Sequence, residues 1–262
     1  MTYERIPFEG GSGLIATLNR MIDQIFEYNQ LFTVFGQQHL AMIALTLALA
    51  VLLPAAARRF TPARQLLLAR ILSLTLSSTV IIWTGIRIYL GDFDRSSDLP
   101  LDICNLSALL LPVIMWRPTR RVHELLYFWI LSGTLQAVIT PYLYNGFPNF
   151  TFIKYWIVHG GLIVYAIYIT AVFRFYPDRR SIWNAFLGLQ IYTVILFGLN
   201  WLLGSNYFYI MHKPPTASLL DYFGPWPWYL IVCEFLALLI FWLVYLPLHP
   251  LRSRPGVSAD SS

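Results

Sequence analysis

The chain has 262 residues, of which 57% are hydrophobic, 16% aromatic and only 12% charged, with a formal net charge of +5. A mean hydropathy of +0.59 lies well outside the range of soluble domains and marks a polytopic membrane protein. The basic residues sit in short connecting stretches rather than on one broad face, so the positive charge speaks of membrane orientation and no nucleic-acid partner is expected.

A hydrocarbon core of about 30 Å needs about 20 apolar residues per helical span and offers the backbone no water, so an all-α membrane bundle is expected. Residues 1–36 come first. Their charges are interspersed and the small-residue cleavage pattern is unconvincing, so they read as a retained segment rather than a secretory signal. Leu14, Ile15, Leu18, Met21, Ile22, Ile25 and Phe26 recur at helical spacing, with Asn19, Arg20, Asp23, Gln24 and Glu27 between them. That pattern predicts an amphipathic helix on the outer membrane surface, or a cap over the bundle.

Seven apolar segments follow, at 37–57, 66–90, 99–116, 122–140, 152–173, 182–203 and 226–248. They define a seven-transmembrane helix bundle over 37–248, followed by a cytoplasmic tail at 249–262. The breaks "PAAARRFTPAR", "GDFDRSSD", "RPTRR", "PYLYNGFPN" and "YPDRRS" combine Pro, Gly and charge. Arg58, Arg59 and Arg64 fall in the first loop, Arg117, Arg120 and Arg121 in the third, Arg174, Arg179 and Arg180 in the fifth, and Arg252 and Arg254 in the tail. The alternation predicts the N-terminus outside and the C-terminus in the cytoplasm.

This topology gives each intramembrane polar residue a depth. Gln38 and His39 fall at the outer end of span 1, and Arg87 at that of span 2. Asp102, Cys104 and Asn105 enter span 3 from outside, and Gln136 lies in the outer part of span 4. At 1.5 Å per residue, His159 lies about 10 Å into span 5 and Glu234 about 12 Å into span 7. Asn200 is near the outer end of span 6. Unpaired polar groups are costly in hydrocarbon, so this shared depth predicts one polar cavity opening outward.

Each residue also has a plainer role open to it. Arg87 and Asp102 could snorkel to headgroups or neutralise one another. Asn105, Gln136 and Asn200 could be interhelical hydrogen-bond glue, and Cys104 could be packing. Taken together, however, Cys104 and His159 share a depth and could meet if spans 3 and 5 are neighbours. A base that raises the thiolate fraction turns a modest nucleophile into an effective one.

Other chemistries fit less well. A thiol oxidoreductase would want paired cysteines, whereas Cys104 and Cys233 lie on different spans, where a disulfide between them is a further option. The five histidines, His39, His123, His159, His212 and His249, are scattered, so no zinc site or other metal or cofactor is expected. Serine-hydrolase and phosphate-loop signatures are missing. The connection Gly204 to Pro225 carries Asn206, Tyr207, Tyr209, His212, Lys213 and Pro214-Pro215. It suits a lid or headgroup-recognition element, or an aromatic interfacial belt.

The runs "LPLDICNLSALLLP", "VHGGLIVY" and "NWLLGSNYFYIMHKPPTASLLDYFGPWPWYL" resemble the YwaF-like integral membrane family of bacteria, which is similar to the eukaryotic transmembrane protein 164 lipid acyltransferases. The resemblance runs from span 1 to span 7. It implies a Cys-His acyltransferase, with Cys104 and His159 matching the family's pair and membrane phospholipids and lysophospholipids as substrates. It also implies a bacterial plasma membrane, with the site toward the extracytoplasmic side. On that reading Asn105 or Gln136 would donate to the oxyanion and Asp102 or Glu234 would orient the imidazole. Arg87 would contact phosphate, with Asn206, His212 and Lys213 at the headgroup. The alternatives are a lipid hydrolase using the same pair, or a small-solute or ion transporter or receptor.

Overall fold

Apolar stretches punctuated by Pro, Gly and charge fold as helices in this computed structural model, which describes residues 25–26, 31–214 and 219–248. Apart from Ile25 and Phe26, the expected interfacial helix lies outside the described residues, as does the tail 249–262. Seven main helices follow one another: α1 (Gln37–Ala57), α2 (Pro62–Tyr89), α3 (Ile103–Ile114), α4 (Arg120–Ile139), α5 (Phe150–Val172), α6 (Arg179–Leu203) and α7 (Trp228–Leu248). No strand forms among the described residues beyond the isolated bridge Leu31–Asn145.

Six of the seven are long and apolar enough to cross a membrane, so the chain is an all-α, multi-pass integral membrane protein. The exception is α3. Its 12 residues span about 18 Å, although the apolar run reaches from 99 to 116. Pro100 holds Leu99 out of the helical region, and the helix ends before Arg117-Pro118.

Local signals set the other boundaries. Pro62 opens α2 from Thr61. Asn149 caps α5 by accepting from the Thr151 N–H, and Asp178 and Ser181 cap each other's backbone at the start of α6. Gly204 ends α6 at φ 63°, a left-handed conformation that favours glycine. One turn of α4, Ile130–Thr134, is π-helical.

The connections α2–α3, α4–α5 and α6–α7 meet at one end of the bundle, called upper below. Here the Tyr207 hydroxyl accepts from the Leu99 N–H at 2.8 Å, and Tyr142 and Tyr209 line one cavity. Helix α5 is central and packs on α1, α2, α3 and α4. A Cβ at Gly160 would stand 2.7 Å from Thr46 Oγ1 of α1, and one at Gly161 would stand 2.4 Å from Leu76 Cδ2 of α2. The "HGG" run therefore lets two helices close on α5 from two sides. One apolar cluster joins α1–α5 around Leu76, Leu111, Leu162 and Tyr165, and a second joins α4, α6 and α7 around Phe128, Ile182 and Phe241. Cys104 packs against both, at the seam of the two halves.

Candidate functional site

The upper end of α3 is built without a side-chain cap. Asp102 is the N-cap residue but its carboxylate bonds none of the helix's first N–H groups. The first intrahelical bond runs from Leu106 N to the Asp102 carbonyl at 2.9 Å. The N–H groups of Ile103, Cys104 and Asn105 are thus left without an acceptor among the described residues. Cys104 is the second residue of the helix, deep among protein atoms yet still partly accessible. Its sulfur lies 3.4 Å from Thr134 Oγ1, the last residue of the π turn in α4.

The chain entering α3 is held from α6 and its following connection. Tyr192 donates its hydroxyl to the Leu101 carbonyl. Tyr207, besides accepting from Leu99, donates to the Arg95 carbonyl at 3.0 Å. The Phe208 N–H bears on the Asp102 carboxylate.

His159, on α5, donates from Nδ1 to the Tyr155 carbonyl at 2.9 Å and stacks on the Tyr155 ring at 4.1 Å. A carbonyl only accepts, so Nδ1 carries the hydrogen and Nε2 presents its lone pair, with no partner among the described residues. The structure brings α3 and α5 into contact, and the Tyr155 phenol lies within electrostatic reach of Cys104. The Cys104 thiol, however, bonds Thr134 and not His159.

A cavity of about 1050 Å³ opens beside this end of α3, between α4, α6, α7 and the α6–α7 connection. Ile103 and Gly133, the immediate neighbours of Cys104 and Thr134, form part of its wall, whereas neither Cys104 nor His159 lines it. The lining is mostly apolar, with Gln136, Thr193, Cys233 and Glu234 among the residues that supply polar atoms. The Glu234 carboxylate accepts from Gln190, and the Thr193 hydroxyl is buried without a partner. Both cysteines are free thiols. No group of three or more His, Cys, Asp or Glu side chains suited to a metal forms among the described residues.

The remaining sequence candidates do not converge on one spot. The Asn105 amide oxygen is buried without a partner next to Cys104. Arg87 is engaged by Asp98 at 3.0 and 3.1 Å and by the Asp92 carbonyl at 2.6 Å, not by Asp102. Asn200 is consumed by the α6–α7 connection, where it accepts from Ser205 Oγ at 2.7 Å and Tyr207 N at 2.8 Å and donates to the Tyr207 carbonyl at 2.9 Å. Asn206 staples the same connection through the Met211 N–H and the His212 N–H and carbonyl. Lys213 stands over the Tyr229 ring at 5.8 Å. His39 is structural: Nδ1 accepts from Phe35 N and Nε2 donates to the Val138 carbonyl, each at 2.8 Å.

Four residues at the site were not among the sequence candidates: Thr134, Lys154, Tyr155 and Tyr192. Lys154 had a readable signal, a cation inside span 5 and five residues before His159. Threonine and tyrosine had none, since 16 tyrosines are spread along the chain.

The helices and this upper-end site define a polytopic α-helical membrane protein with a buried thiol at a helix start. The chain belongs to the TMEM164 family, which it matches over residues 34–245. The comparisons with curated proteins and with solved structures found no match.

Proposed function

We propose that this protein is an intramembrane lipid acyltransferase that carries an acyl group as a thioester on Cys104. Family membership supports a lipid-modifying role. The observation that carries the chemistry is a thiol set at three unused backbone N–H groups, with a bare imidazole Nε2 on the adjoining helix.

In the proposed cycle the thiol rotates from Thr134 to His159, whose Nε2 takes its proton. The sulfur attacks a phospholipid ester carbonyl, and the oxyanion is met by the N–H groups at the start of α3. Collapse breaks the acyl C–O bond. The departing lysophospholipid alkoxide recovers the proton from His159, leaving a thioester. A lysophospholipid hydroxyl then attacks with His159 again as base, and the thiol is restored. Side chains and backbone supply every step, so no cofactor is invoked. The apolar cavity next to Ile103 and Gly133 receives acyl chain, with Gln136 and Glu234 meeting its polar end. Asp102 balances charge at the helix start. Arg87, Asn206, His212 and Lys213 shape the mouth.

The same reading takes seven spans with the N-terminus outside, α3 completing its crossing through flanking apolar residues. The site then faces the extracytoplasmic leaflet of a bacterial plasma membrane.

Intact-protein mass spectrometry after incubation with mixed phospholipids tests it, comparing wild type with Cys104→Ala and His159→Ala. A hydroxylamine-labile acyl mass on wild type alone is expected. Labelled lysophospholipid then separates transfer from hydrolysis to free fatty acid. No adduct with any donor, and identical lipid profiles for all three proteins, would overturn the proposal and direct assays to solute transport.

A further inference from the structure

Around the start of α3, Arg87 and Asp98 form an ion pair, whereas Lys154 and Asp102 feel one another's charge without direct contact. Arg87 is already neutralised by Asp98 and tied to the Asp92 carbonyl. Lys154 is different. Its ammonium has no hydrogen-bond acceptor or close carboxylate among the described residues, and its close neighbour is the Trp83 ring, 5.9 Å from nitrogen to centroid. The Arg87 guanidinium sits 6.0 Å from the same ring, which in turn stacks on Phe150 at 5.6 Å. The fields of Asp102 and Asp98 reach Lys154 without satisfying its three donors.

Its helix also adjoins that of the thiol. Lys154 is four residues into α5, about 6 Å below the helix start at 1.5 Å per residue. Cys104 is in the first turn of its own helix, and α3 and α5 are in contact. In a glycerophospholipid the phosphate lies a few bonds above the acyl ester. A lysine with spare donors on the helix beside the nucleophile can extend its stem toward the headgroup side and meet that phosphate. An enclosed ammonium whose donors meet no acceptor is costly, and a phosphate oxygen would supply one.

We propose that Lys154 binds the phosphate of the phospholipid whose ester Cys104 attacks, with Trp83 as the wall that holds the lysine stem in place. The substrate class rests on the acyl-transfer reading; the phosphate site does not, and the test keeps the two apart. The full chain in nanodiscs, carrying Cys104→Ala so that no turnover occurs, is titrated with a fluorescent dialkyl glycerophospholipid. A dialkylglycerol with the same chains and no phosphate is titrated in parallel. Lys154→Met should weaken the phospholipid at least about tenfold, the order of a charge-assisted hydrogen bond, and leave the dialkylglycerol unchanged. Lys154→Arg should restore most of the difference. Millimolar inorganic phosphate should displace neither.

Equal loss of both ligands would make Lys154 a structural charge and overturn the proposal. So would an unchanged phospholipid affinity. Displacement by inorganic phosphate, with no discrimination between the two lipids, would assign the site to a free anion and overturn it as well. If wild type forms no acyl adduct but the phosphate selectivity still depends on Lys154, the enzyme reading falls and the lipid-phosphate site stands.

Discussion

Asn200→Ala is expected to loosen the α6–α7 connection and, through it, the start of α3. Asn200 is 1% exposed and makes three hydrogen bonds, with Ser205 Oγ and with both backbone groups of Tyr207. Tyr207 then holds Leu99 N and the Arg95 carbonyl through its hydroxyl. Each neutral buried bond contributes about 1 kcal/mol net, so losing three costs about 3 kcal/mol. At about 1.4 kcal/mol per decade, local opening becomes about 100-fold more populated. When opening is fast relative to cleavage, protease sensitivity follows that population. Chymotrypsin cleavage at Tyr207, Phe208 and Tyr209 in detergent-solubilised protein should therefore accelerate by about that factor. Alkylation of Cys104 should change in the same variant. Asn200→Asp, which keeps both acceptor bonds but sets an oxygen against the Tyr207 carbonyl, should fall between. A cleavage rate equal to wild type in the alanine variant would refute the anchoring role.

Three further outcomes are expected. Gly161→Val should destabilise the bundle by about 1–3 kcal/mol through overpacking. Adding Leu76→Ala should recover part of that loss, and thermal unfolding of the four proteins of the cycle would show purely additive effects if the close approach is unimportant. Cys104→Ser should lower acyl transfer by at least about a thousandfold, because a hydroxyl lacks the thiol's accessible anion; turnover near wild type would rule out the thioester. In the α2–α3 connection, the Ser96 hydroxyl and N–H bond the Asp94 carboxylate and hold its pKa below the ordinary carboxylate range. Their contribution to stability is present above the unfolded pKa and is lost as pH falls through the folded one. Ser96→Ala should raise the Asp94 midpoint toward the ordinary range, read by the carboxyl carbon shift of labelled aspartate, and an unmoved midpoint would contradict the assignment.

The helices were legible because lipid-compatible runs have a length and a composition, and their ends carry Pro, Gly and Arg. The exception, α3, shows the limit: hydropathy counts Leu99, Leu101 and Trp116 as span, but Pro100 and Pro118 decide where helical dihedrals can begin and end. At the site, Cys104 and His159 stood out because a thiol and an imidazole are rare in this chain. Their shared depth left the pairing conditional on spans 3 and 5 being neighbours, and the two helices are in contact, yet depth has no azimuth. It could not say that the thiol bonds Thr134, that Gln136 and Glu234 share a cavity beside Cys104, or that Asn200 and Asn206 serve the α6–α7 connection. Lys154 was missed for a different reason. A lysine two residues inside an expected span reads as one that snorkels to the surface, and only the packing of Trp83 shows otherwise.

The π turn at Ile130–Thr134 places one extra residue in α4. Below it, α4 is set against α6, where Trp129 donates to the Ala185 carbonyl. Above it, the same helix is set against three others: Thr134 meets Cys104, the Ala137 carbonyl meets Tyr155, and the Val138 carbonyl meets His39. Removing one residue from this turn would advance everything after it by about 100°. All three partnerships would be lost at once, while the α6 contact would stay in register. The insertion thus acts as a phase offset, allowing one helix to keep time with two halves of the bundle that an uninterrupted α-helix could not serve together.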